Sequence, residues 1–170
     1  MREHSAERSL ALAIGLCGLV VLALASVVMS RDNEAKSRES NFVRSTMAAF
    51  YHAVVSAEKS QRAYILTEDL DYRDDYYEAI KQIGEIRLAL TRLSNTRSVI
   101  ATDIDKLFRL TEERNSQLDS VIAAYDSLGF DAAVAAIRSN ETKNTSSRIF
   151  LLIRTMVEQE GLALIQYQRR

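Results

Sequence analysis

Apolar side chains fall on regular stripes along most of this chain. Val43, Met47, Phe50, Val54, Ala57, Gln61 and Tyr64 alternate steps of four and three, which keeps them on one face of a helix. The same rhythm returns in Tyr72, Tyr76, Ala79, Ile83, Ile86, Leu90 and Leu93. It returns again in Ile100, Ile104, Leu107, Thr111, Arg114, Leu118, Val121, Tyr125 and Leu128, and a last time in Ile149, Ile153, Met156, Glu160, Ala163 and Tyr167. Short polar segments separate the stripes: Thr67-Glu68-Asp69-Leu70-Asp71, Ser94-Asn95-Thr96-Arg97-Ser98 and Ser139-Asn140-Glu141-Thr142. Gly129 is placed to end the third helix in a left-handed cap, and Phe130 to Arg138 reads as a short Ala-rich helix with Asp131 near its start. Each stripe alone would face water. Four long amphipathic helices with short loops therefore bury one another most simply as an antiparallel bundle.

One stretch has no polar face at all. Leu10–Met29 is twenty residues without a charge, Asn, Gln or Pro. As a helix it spans about 30 Å, the thickness of a bilayer's hydrocarbon core, with its backbone hydrogen bonds satisfied internally. Nothing between Met29 and Val43 breaks a helix, so the anchor is expected to run straight into the first water-facing helix. The expected fold class is all-α, an N-terminal transmembrane helix continuing into an antiparallel four-helix bundle. Residues 1–9 form a short cytoplasmic tip, 10–30 the transmembrane helix or signal-anchor, and 31–170 the extra-cytoplasmic bundle. A rival reading takes Ala23-Leu24-Ala25 as a signal-peptidase site, so that residues 1–25 are cleaved and a secreted domain starts at Ser26. Against it, Ser26-Val27-Val28-Met29 extends the apolar run to full spanning length. The flanking charges, Arg2 and Arg8 before the span against Arg31, Lys36 and Arg38 after it, would by themselves put the larger part inside. Long domains, however, translocate largely regardless of such charges.

Composition narrows the class further. The chain has 170 residues, no Pro and five Gly, which favours a few long helices over strands and tight turns. A net charge of −1 gives no basic field for nucleic acid. Cys17 is the only cysteine, so one chain holds no disulfide and no cysteine-based metal site. Leu16 stands where lipoprotein processing wants a small residue, and Cys17 reads as a small apolar residue of the membrane helix.

Candidate chemistry is sparse. His4 and His52 are too far apart and too lightly accompanied for a metal site, so metal and cofactor are both expected to be none. Asp69, Asp71, Asp74 and Asp75 fall in a loop and the first turn of a helix, where negative charge suits the helix dipole better than it suggests acid–base work. Tyr72, Tyr76 and Tyr77 read as core aromatics whose hydroxyls reach the rim. Phosphate loops, Ser/His/Asp sets and kinase motifs are absent, so no catalytic residues are expected and the chain is not read as an enzyme. Arg114 is the exception among seam residues. A core position tolerates that charge only if it is paired or wet, and Gln61 and Glu160 also interrupt their seams. A buried polar layer of Arg114 with Glu160 or Gln61 is one expectation; the other is that Arg114 snorkels to solvent.

The run Ser60-Gln61-Arg62-Ala63-Tyr64-Ile65-Leu66-Thr67-Glu68-Asp69, followed by Tyr72 and Tyr76, resembles the third type of CHASE domain. These are extracellular sensory modules of bacterial cyclases and histidine kinases. The closing stretch Glu158-Gln159-Glu160-Gly161-Leu162 through Gln168-Arg169 is similar to the family's last helix, so the resemblance covers roughly Arg38 to Arg170. Arg62, Tyr64, Thr67, Asp69 and Tyr72 match the signature, while Ala63 and Glu68 stand where the family has Gly. The resemblance implies an N-terminus inside the cell and the bundle outside, in the periplasm or beyond the cell. Family members continue into a second membrane helix and an output domain. The expected partners are therefore the membrane, a second copy of the chain, and a signalling protein such as a histidine kinase or cyclase. A stimulus would be passed on by helix shifts. The competing expectation is a secreted or anchored helical interaction bundle with no signalling role.

Overall fold

A computed structural model describes residues 3–96, 98–138 and 140–168, with side chains left out at 1–18, 20, 21, 25, 94–100, 139–143 and 168–170. The described residues form five helices: α1 (Glu3–Thr67), α2 (Leu70–Thr96), α3 (Ser98–Leu128), α4 (Phe130–Arg138) and α5 (Asn140–Gln168). The four long helices alternate in direction. Contacts pair Glu58 with Arg114 and Tyr64 with Asp126, so α1 and α3 run parallel. Tyr76 with Asp119 and Arg87 with Glu112 set α2 antiparallel to α3. Ser146 meets Glu58 while Tyr167 reaches Asp32, so α5 descends along α1.

The core is made by the stripes. All seven seam residues of α1 from Val43 to Tyr64 are buried, against Tyr76, Ile83 and Leu90 of α2, Ile104, Leu107 and Leu118 of α3, and Ile149, Ile153 and Met156 of α5. Removing such a side chain from water is worth about 1.5–3 kcal/mol, so the seams supply the drive that holds the helices together. Four seam positions depart from expectation. Tyr72, Leu128, Ala163 and Tyr167 are exposed. All lie in the first or last two turns of their helices, where a stripe has neighbours on fewer sides. The α3 seam begins with Ile100, whose side chain lies outside the described residues.

Turn chemistry decides where the helices stop. α1 ends at Thr67, and Glu68 takes a left-handed φ of 59° while its N–H donates to the Tyr64 carbonyl at 2.8 Å. The Asp69 carboxylate then accepts the Asp71 N–H at 3.0 Å and caps α2. At the other turn Gly129 has φ 83°, with its N–H on the Tyr125 carbonyl at 2.9 Å. Its own carbonyl accepts the Ala133 N–H at 3.3 Å, so one residue closes α3 and opens α4. The short α4 then lies on the flank of α3 and buries Ala133.

Below the bundle α1 continues alone. Its described apolar side chains there, Leu19, Leu22, Leu24, Val27, Val28 and Met29, are all exposed. Among the described residues no helix is long and apolar enough to cross a membrane. The expected span, residues 10–30, falls largely on side chains outside the described set.

Candidate functional site

Midway along the bundle the apolar core is interrupted by charge. Arg114, from the seam of α3, is only 2 % exposed. Its Nε donates to Glu58 Oε1 of α1 at 2.9 Å and its Nη1 to Gln117 Oε1 at 3.3 Å. The Ser146 hydroxyl of α5 donates to the same Glu58 oxygen. Gln117 Nε2 in turn donates to Thr145 Oγ1 at 3.2 Å, and Thr145 donates to Glu113 Oε1 at 3.1 Å. Three helices thus meet in one hydrogen-bonded layer. A charge taken out of water this far is held only because its partners are fixed around it.

Arg114 does not snorkel: it is buried and paired, as one expectation had it, but its partners are neither Glu160 nor Gln61. The register of α5 explains the first: it brings Thr145 and Ser146 opposite Arg114, leaving Glu160 about 20 Å further along the helix axis. There Glu160 is buried beside Lys36, Ser40 and Tyr167. Gln61 is buried but commits its amide to the Leu118 carbonyl at 2.8 Å. Glu58 went unnoticed because it lies one residue off the seam. Its signal was the helical neighbourhood of Gln61, three residues on.

The signature residues gather at the α1–α2 turn, with several tasks. Tyr64 donates to Asp126 Oδ1 at 3.1 Å, packs edge-on against Tyr125 at 5.4 Å and lies under Arg73 at 5.8 Å, tying α1, α2 and α3 together. Burial, then the hydrogen bond to the Asp126 carboxylate, raises its phenol above the usual tyrosine value. Tyr125 is raised by burial and then by Glu68. Thr67 donates to the Ala63 carbonyl at 2.8 Å and accepts from the Asp69 N–H at 3.3 Å. Asp69 caps α2. Tyr72 is exposed, and Arg62 is exposed on the side of α1 that faces a cavity below the turn. Tyr76, one turn beyond Tyr72, is wholly buried and donates to Asp119 Oδ1 at 2.6 Å.

No group of three or more His, Cys, Asp or Glu side chains converges among the described residues as a metal site would. His52 is exposed beside the Tyr51 ring, 6.3 Å away. What the arrangement offers chemically is polar recognition and mechanical coupling between helices.

Residues 33–170 match the family model of the CHASE3 domain, and the chain belongs to that family. It is similar to the sensor domain of histidine kinase HK9 from Rhodopseudomonas palustris, known from a crystal structure. The two share 25 % identity at a TM-score of 0.70, over 74 % of this chain and 98 % of that one. No curated protein matches the chain. Family and fold together make this a sensory domain of the kind found in signalling proteins.

Proposed function

We propose that the chain is the membrane-anchored input module of a bacterial signal-transduction protein. Residues 10–30 span the inner membrane, residues 1–9 lie in the cytoplasm, and the bundle of residues 31–170 stands outside. Its stimulus is passed on as a shift of helices, and kinase or cyclase activity resides in a linked domain or a partner. The observation that carries this reading is the continuity of α1, one helix from Glu3 to Thr67. It links the apolar run to the central layer at Glu58 and to the signature turn at Thr67. The exposed Leu19, Leu22, Leu24, Val27, Val28 and Met29 support a lipid setting, since so much apolar surface on one rod is costly in water. Leu151, Leu162 and Ile165 share an exposed face of α5 and support association with a second copy.

Three measurements test it. Extraction of membranes with alkaline carbonate should leave the protein in the pellet, and N-terminal sequencing should find no start at Ser26. Co-reconstituted with the kinase or cyclase it co-purifies with, the chain should make that activity respond to a stimulus. Constitutive association with no change in activity would favour the interaction bundle instead.

A further inference from the structure

A cavity of about 330 Å³ opens beside the charged layer, walled by α1, α3, α4 and α5. That volume lies at the lower end of those that hold small-molecule ligands, about 300–1,000 Å³. Its walls divide by chemistry. Arg62 and Arg114 present two guanidinium groups against the single carboxylate of Glu58, while Val121 and Ile137 offer an apolar side. The balance of charge around the space is therefore positive.

The two arginines are not equivalent. Arg114 is committed to Glu58 and Gln117. Arg62 has no hydrogen-bond or ion-pair partner among the described residues, although Glu58 lies one helical turn away on the same face of α1. Glu58 instead gives one oxygen to both Arg114 and Ser146. Glu58 thus turns an oxygen to Arg114 and Ser146 and makes no ion pair with Arg62, which leaves a planar, two-pronged donor at the mouth of a half-apolar cavity. Such a fork matches a carboxylate bidentately.

We propose that this cavity is the ligand site of the sensory domain, and that it takes a small organic carboxylate. The acid group is held by Arg62 and the hydrocarbon part lies on Val121 and Ile137. The site joins α1, which carries the proposed anchor, to α3, α4 and α5, so a ligand seated there bears on the helix that leaves the bundle. The biological meaning rests on the sensory reading above, but the binding does not. It is measured on the chain alone, so a failure here leaves the signalling reading standing and the reverse is equally true.

The test is calorimetric titration of the full chain in detergent micelles. The probes are 4-methylpentanoate and benzoate, the neutral amide of each, and leucine, which carries the 4-methylpentanoate skeleton with an added ammonium group. At least one carboxylate probe should bind at millimolar concentration or below, with its amide about tenfold weaker or worse. Arg62→Gln, a change at an exposed side chain, should weaken binding about tenfold. Ile137→Trp should abolish it by filling the cavity. Arg44→Gln, at an exposed arginine elsewhere on α1, should leave it unchanged. Binding by leucine alone would assign the site to amino acids, with Glu58 meeting the ammonium, and still supports carboxylate recognition. Binding of amides as tight as acids, an unaffected Arg62→Gln variant, or no binding by 4-methylpentanoate, benzoate or leucine would each overturn the proposal.

Discussion

The Tyr167 hydroxyl donates to Asp32 Oδ2 at 2.8 Å, joining residues 135 apart in the sequence. The bond closes the base of the bundle, where the end of α5 meets α1 just below the core. Lys36 sits 5.7 Å over the same tyrosine ring. Asp32 raises the Tyr167 phenol, with burial second. This clasp holds α5 to α1 at the base of the bundle.

Tyr167→Phe should therefore loosen the base without unfolding the bundle. A partly exposed hydrogen bond contributes about 0.5–1.5 kcal/mol. Hydrogen exchange should speed up in the last two turns of α5, while the global unfolding midpoint moves little. Equal acceleration throughout the bundle would show that the base is not a separate unit.

The central ion pair makes a larger demand. Arg114→Ala leaves the Glu58 carboxylate without its counter-charge, and Glu58→Ala strands a guanidinium that is almost wholly buried. Each should cost about 3–5 kcal/mol in urea unfolding. Arg114→Met together with Glu58→Leu should recover most of that loss, because an apolar pair of similar volume needs no partner. Arg154→Ala, which breaks an exposed pair with Glu158, should change stability by less than about 1 kcal/mol.

One substitution at three glycines should give opposite signs. Gly129 holds φ 83°, where a Cβ is strained although nothing lies within 4 Å of it. Gly129→Ala should cost about 1–2 kcal/mol. Gly84 and Gly161 lie inside helices with open space around the added methyl. Alanine at either should stabilise by about 0.5–1 kcal/mol in thermal unfolding.

Alkaline pH should unfold this bundle through its tyrosines. Burial, then the hydrogen bond to Asp119, pushes the Tyr76 phenol well above its ordinary value of 10.0. Below about pH 10 both folded and unfolded states keep the proton. Above it the unfolded chain releases the proton while the folded one retains it. Stability is therefore fully present at neutral pH and falls as pH rises, by up to about 1.4 kcal/mol per pH unit for one such group. Tyr76→Phe should flatten that decline in urea titrations run across the alkaline range. An unchanged slope would assign the alkaline sensitivity to other groups.

How much of this was legible beforehand depends on what periodicity encodes. A four-three stripe reports which face of a helix is apolar, and the α1 seam from Val43 to Tyr64 is buried throughout. It does not report where neighbouring helices end, hence the exposed Tyr72, Leu128, Ala163 and Tyr167. Local chemistry read well where one residue does the work: Asp69 caps α2 and Gly129 takes the positive φ. Glu68 adopts the left-handed turn without being glycine, so the bend that residue identity left open is made all the same. Arg114 stood out as a charge on a seam, but its partner could not be read off. Which carboxylate meets it depends on the axial register of α1 and α5, and stripes leave that register free. Glu58 and Ser146 become visible only once the helices are docked.

Between Leu19 and Thr67 α1 contains neither proline nor glycine. It behaves as a stiff shaft with no joint in which to dissipate a twist. Each residue added below Asp32 would turn whatever stands on top by about 100° and lift it by about 1.5 Å. The angular phase between the bundle and anything coupled beneath it is thus written into the number of residues separating them.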